Sequence, residues 1–234
     1  MTSDKYSFVR PEISLSETIC QYMDLDYLLL MLSTGKYFVR YKGGFSDKDE
    51  ATLPIKDVLP IHQANQKPDK ERLEQDMRRF EDKLAAYKEL RSVPTSCWTL
   101  RNSESSLMWS AYTSKIGVCI KSTVASFISA VDYTGYELFY GLMSYHGFSF
   151  YRDDECFSKS RAFADEKELR FYFLSDKEPD TTGNGVSFTV KPCELIKEVI
   201  LSPRIAPKAA AELCEMMRKR YDIKVSASKI RMND

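Results

Sequence analysis

The stretch Glu168-Leu-Arg-Phe-Tyr-Phe173 constrains the fold of this chain more than any other, because β-forming residues there alternate between apolar and polar. Period-two alternation places Leu169, Phe171 and Phe173 on one face of a strand. Glu166, Glu168, Arg170 and Tyr172 take the opposite face. A carboxylate fixed on a rigid strand, beside a guanidinium and a phenol, suits the gripping of a sugar hydroxyl. The same pattern also describes a salt-bridged outer sheet face. Both readings stand on this segment alone.

Such a strand needs partners, and the chain supplies them. Strands are expected at Glu17–Tyr22, Lys36–Tyr41, Ser96–Leu100, Gly117–Lys121, Tyr136–Tyr140, Met143–Phe150, Ile196–Leu201 and Ile223–Ile230. Asp24 is placed to cap a helix running through Leu32 to Gly35, and Asn102-Ser-Glu-Ser-Ser106 to start another through Tyr112. Residues 1–16, 46–64 and 175–185 read as irregular. From Asp69 to Leu90, Leu73, Met77, Phe80, Leu84 and Tyr87 recur at spacings of four and three, the stripe of an amphipathic helix. Such a stripe lies on its own domain or docks a partner helix. A last helix is expected over Pro207–Arg220. The sum is a mixed α+β domain over 1–234, strands outnumbering helices, with 65–92 a helical elaboration.

Composition removes several function classes. Lys+Arg and Asp+Glu both total 34, so no net charge draws the chain toward nucleic acid or membrane. Six scattered cysteines form neither a C-x-x-C pair nor a zinc spacing, and read as reduced thiols. The longest apolar run, Tyr27–Leu32, is far short of the roughly 20 residues of a membrane helix. With no basic-then-apolar leader, the expectation is a cytoplasmic protein without membrane contact. No phosphate-loop, dinucleotide-binding, nucleophile-elbow or zinc-protease motif occurs, and the two histidines, His62 and His146, supply little for acid–base chemistry. Asp153, Asp154 and Glu155, with Glu166 or Glu168, allow a metal-dependent nuclease, although acidic runs are usually solvated loops.

Aromatic residues offer a second chemistry. Tyr22, Trp98, Trp109 and Tyr112 lie on segments flanking the strands expected beside Glu168. Aromatic faces stack on planar heterocycles such as nicotinamide. A carboxylate near a ribose holds its hydroxyl and favours positive charge at the anomeric carbon as a bond to nitrogen breaks.

Ser96-Cys-Trp-Thr, Leu107-Met-Trp-Ser-Ala-Tyr112, Gly117-Val-Cys-Ile120, Lys159-Ser160, Glu166-Lys-Glu-Leu-Arg170 and Ile196-Lys-Glu-Val-Ile-Leu-Ser-Pro-Arg204 resemble, in order, a large bacterial family of unknown function. Its members carry Met-Trp-Ser-x-Tyr and Glu-x-Glu-Tyr-Arg motifs. The resemblance spans roughly residues 17 to 230 and implies a toxin or phage-defence setting. The family's early Phe-Asn-Asp-Pro-Phe-Glu motif survives only as Phe45-Ser-Asp-Lys-Asp-Glu50.

The element order is also similar to ADP-ribosyltransferases of the His-Tyr-Glu type. That resemblance implies a split β-sheet core with flanking helices and NAD as substrate. On it, Glu168 and Tyr112 match the catalytic glutamate and the tyrosine that stacks on nicotinamide. Ser105 or Ser106 falls in the turn that seats the amide, with Trp109 and Trp98 nearby. Gln21, beside Tyr22, stands where the first-strand histidine or arginine would be, and Arg40 is an alternative anion contact. Arg170 alternatively pairs with Glu166. The expected partners are an acceptor macromolecule (RNA, DNA or protein) and an antitoxin or chaperone docking on the 69–90 helix. Against this stand the metal-dependent nuclease and a binding module whose aromatic residues are core.

Overall fold

The computed structural model describes residues 6–8, 13–45, 91–114, 116–145, 157, 159–175 and 183–231, with positions 71, 74, 75, 77, 78, 81, 82 and 85. The fold is α+β, a large mixed sheet accompanied by a small one. Its strands among these residues are β1 (Tyr6–Phe8), β2 (Thr18–Asp24), β3 (Lys36–Arg40), β4 (Thr95–Thr99), β5 (Gly117–Thr123), β6 (Val131–Asp132), β7 (Glu137–Leu142), β8 (Glu168–Leu174), β9 (Gly185–Val190), β10 (Glu198–Leu201) and β11 (Val225–Ala227).

Eight strands form the large sheet in the order β1-β7-β8-β4-β2-β5-β10-β11; β3-β9-β6 form the small one. Pairing in the large sheet is antiparallel except at its edges, where β1 runs parallel to β7 and β11 to β10. The register fixes which side chains share a face, because residues directly opposite across a pair point the same way. Thr99 lies opposite Glu168, Cys97 opposite Arg170, and Cys20 opposite Thr99. Cys20, Tyr22, Cys97, Thr99, Glu168, Arg170 and Tyr172 therefore share one face. Ile19, Gln21, Trp98, Leu169, Phe171 and Phe173 share the other.

That second face carries the main core. Leu169, Phe171 and Phe173 are buried with Ile19, Trp98 and Ile120 beneath helices Leu25–Thr34 and Val124–Ala130 and against Tyr37, Val39 and Phe188 of the small sheet. Phe127 stacks on Phe171 at 3.9 Å between ring centroids. Helix Pro207–Tyr221 contributes Ala210, Cys214 and Met217 to the same cluster.

Most expected elements are present, with shifted ends. Gly35, at φ 62°, ends helix Leu25–Thr34 in the left-handed conformation that glycine adopts without strain. Asp24 takes the N-cap position of that helix as expected, but its side chain makes no cap bond; its Oδ1 accepts the Ser114 amide at 2.6 Å. The strand expected over Met143–Phe150 is absent for Met143–Tyr145, and residues 146–150 lie outside the described set. One strand, β1, falls in a segment expected to be irregular, and another, β9, follows the 175–185 stretch where no element was expected. β9 matters because it ties β3 to β6 and so makes the small sheet. Described positions between 71 and 85 are helical and exposed, Met77 at 57%. Leu73, Phe80, Leu84 and Tyr87 lie outside the described set, as does the segment 46–64.

Candidate functional site

β8 is buried along both faces, so its polar side is not the outer face that the salt-bridge reading expected. Glu168 and Arg170 are 4% and 0% exposed, which makes their pairing obligatory: a buried charge persists only with a partner. Arg170 grips Glu168 in a fork, Nε to Oε1 at 2.5 Å and Nη2 to Oε2 at 3.1 Å. Its Nη1 donates to the Tyr172 hydroxyl at 3.1 Å. The alternative pairing of Arg170 with Glu166 is not the one formed.

Glu166 reaches the same place by another route. It is not on the strand but ends the 3-10 turn Arg161–Glu166, which Ser160 caps by accepting the Ala162 amide. Lys167, at φ 47°, then turns the chain into β8. The turn folds Lys159 back over the strand, where its Nζ donates to Glu166 Oε2 at 2.6 Å and Glu168 Oε2 at 3.1 Å. Thr99 Oγ1 fixes the turn by donating to the Glu166 carbonyl at 2.5 Å, and Tyr145 OH accepts the Glu168 amide at 2.7 Å. Two carboxylates and two cations thus form one compact, formally neutral cluster.

Helix Ser106–Tyr112 brings the aromatic side. Its Ser105 cap accepts the Met108 amide, and Met108 and Trp109 bury against Cys20, Tyr22, Cys119 and Ile200 on the same sheet face as Glu168. Tyr112, the last residue, is 44% exposed, yet its hydroxyl donates to Glu166 Oε1 at 2.6 Å. Polar anchors hold both ends of this helix. Glu104 accepts from Trp109 Nε1, the Ser228 hydroxyl and the Lys229 amide. Arg204 donates to the Trp109 carbonyl at 3.2 Å and to Ser110 Oγ at 3.2 Å.

Electrostatics follow from this packing. Burial pushes the Glu168 carboxyl upward, but the charge and hydrogen bonds of Arg170, with the charge of Lys159, outweigh it and hold the group at about 2. Burial pulls Lys159 downward, yet Glu168 and Glu166 overcompensate and raise it above its usual range. Burial first, then the hydrogen bond to Glu166, keep the Tyr112 phenol protonated well beyond its ordinary range. At neutral pH Glu168 is a carboxylate and Lys159 an ammonium.

Of the residues picked from sequence, Glu168 and Tyr112 are brought together around Glu166 and Lys159. Gln21 and Trp98 are not, because they project from the opposite face. Gln21 donates to the Cys97 carbonyl at 3.1 Å and accepts from Tyr37 at 3.0 Å. Trp98 lies in the core with its indole N–H on Ser96. Trp109 and Tyr22 share the right face but are buried against each other edge-on, 4.9 Å between centroids, so neither offers a ring to a ligand. Ser106 is exposed at the first turn of its helix. Arg40 sits on β3 of the small sheet and holds the Gly44 carbonyl. Lys159 was named in sequence only within a resemblance motif, without a role in the site, and Tyr145 was missed; no periodicity signals either, since both lie in irregular chain. Asp153, Asp154 and Glu155 lie outside the described residues, and among the described residues no group of three or more ligating side chains could hold a metal ion. No described helix is long and apolar enough to cross a membrane.

The sequence matches no protein-family model and no curated protein. The functional reading therefore rests on the cluster itself.

Proposed function

We propose that the chain is an NAD-dependent ADP-ribosyltransferase, acting as a toxin or anti-phage effector on a nucleic acid or protein acceptor. The single observation behind this reading is the junction of a half-exposed phenol with a pair of neighbouring carboxyl groups: Tyr112 on Glu166 at 2.6 Å, and Lys159 bridging Glu166 to Glu168. The two-sheet α+β architecture supports it more generally.

Cleaving the bond between nicotinamide and ribose sends the electron pair out with the neutral base and leaves positive charge at the anomeric carbon. Glu168, ionised at neutral pH and oriented by Arg170, is suited to stabilise that charge. The exposed Tyr112 ring is suited to stack on the departing heterocycle. The acceptor then attacks the same carbon and gives up its proton, and Glu166 is the nearest second carboxylate to receive it. Glu168 is 4% exposed and bonded to Lys159, so ribose reaches it only as Lys159 yields. Trp109 and Tyr22 act in this reading as the packed base beneath Tyr112, not as stacking faces. An antitoxin or chaperone remains a proposed partner.

The test is incubation of purified protein with NAD labelled in the ADP-ribose moiety and with separate pools of RNA, DNA and cell protein. Wild type should release nicotinamide and label one pool, and Glu168→Gln at matched folded yield should do neither. Absence of release with every pool, or release that survives Glu168→Gln, rejects the proposal.

A further inference from the structure

A dinucleotide brings a diphosphate dianion, and the cations inside the cluster are already committed. Lys159 and Arg170 are buried on Glu166 and Glu168. Gln21 faces away from them and Arg40 lies on the small sheet. Arg101 is differently placed. It follows β4 directly after Leu100, whose amide donates to the Lys167 carbonyl at 2.9 Å, so its backbone runs beside the turn that carries Glu166. Its carbonyl is fixed by the Cys20 thiol at 3.3 Å. Its side chain is half-buried, and Nη2 donates to the carbonyl of Asp165, the neighbour of Glu166.

The resting pose of this guanidinium is incomplete. Its Nε is buried without a hydrogen-bond partner among the described residues. Native side chains seldom leave a buried donor unpaired, and a charged donor tolerates it least. A guanidinium presents Nε and one Nη as parallel donors matched to two oxygens of a phosphate. An anion in that fork would complete the missing bond once the side chain swings off the neutral Asp165 carbonyl and opens Nε to it.

We propose that Arg101 is the anion-binding residue of this site, forming a subsite for the diphosphate of the substrate dinucleotide beside Glu166 and Tyr112. The proposal rests on the ADP-ribosyltransferase reading for the identity of its ligand, but on Arg101 alone for the binding of an anion.

Calorimetric titration of the full chain separates the two. The ligands are NAD, nicotinamide riboside, which lacks the diphosphate, and inorganic diphosphate; the proteins are wild type, Arg101→Ala and Arg101→Gln. Arg101→Gln removes the charge but keeps a polar side chain up to the position of Nε, and so supplies a folded comparator. Both variants should weaken NAD and diphosphate binding about tenfold to a hundredfold, the worth of charge-assisted hydrogen bonds, and leave the riboside unchanged. Added salt should weaken diphosphate binding to wild type more than to the variants. Loss of diphosphate binding in the variants, with no riboside binding to any protein, would keep the anion subsite and remove the nicotinamide reading. Wild type that binds no diphosphate, or folded Arg101→Gln that binds it as tightly as wild type, overturns the subsite even if NAD turnover is found.

Discussion

The Tyr112 hydroxyl donates to Glu166 at 2.6 Å, joining the end of a helix on one side of the site to the end of a 3-10 turn on the other. The bond leaves the ring half-exposed while its tip is engaged. Tyr112→Phe should therefore cost only about 1 kcal/mol in urea denaturation, the usual worth of one hydrogen bond, and keep most nicotinamide release. Tyr112→Ala removes the platform and should lose most of that release. Equal activity in the two variants would show that the ring takes no part.

Glu168 depends on Arg170 for its charge. Arg170→Met keeps the volume but removes the fork from a carboxylate that is 4% exposed. Breaking a buried pair on one side typically costs about 3–5 kcal/mol, and the urea midpoint should fall accordingly. A loss under 1 kcal/mol would mean that Lys159 alone suffices.

Acid should attack the fold through the same carboxylate. Its folded-state value of about 2 lies below the ordinary 4.5, so its contribution to stability is present above pH 4.5 and is lost as pH falls toward 2. The difference corresponds to something on the order of 3 kcal/mol. Thermal unfolding followed across that window should fall steeply for wild type and less steeply for Glu168→Gln. Parallel slopes would place the acid sensitivity elsewhere.

Arg204 holds the final turn of the helix that carries Tyr112. Arg204→Ala removes its bonds to the Trp109 carbonyl, which keeps the Thr113 hydroxyl, and to Ser110, and should cost about 1–2 kcal/mol. Because Tyr112 then loses its fixed approach to Glu166, nicotinamide release should fall further than the same loss of stability produced by a core change such as Ile120→Val.

Much of this architecture was legible in sequence. Alternation in β8 identified both of its faces, and the helix-starting stretch Asn102–Ser106 and the stop at Gly35 located the ends of two helices. What alternation could not give was depth: a polar face of Glu, Arg and Tyr reads the same whether it meets water or a lid. Nor could it give lateral register. Gln21 and Tyr22 are adjacent in sequence, yet only the pairing of Cys20 with Thr99 decides which of them shares a face with Glu168. The role of Lys159 was hidden for a third reason, since it lies in irregular chain just before the Ser160 cap, where no side-chain period applies.

The anchoring of helix Ser106–Tyr112 by Arg204 at one end and by Ser228 and Lys229, through Glu104, at the other has a consequence for biosynthesis. A ribosome that has already delivered Tyr112, Glu166 and Glu168 still lacks the side chains that seat the helix. The perch of Tyr112 is completed only when the distal stretch emerges, so a nascent chain carries the chemical groups of the cluster well before it can hold them in working order.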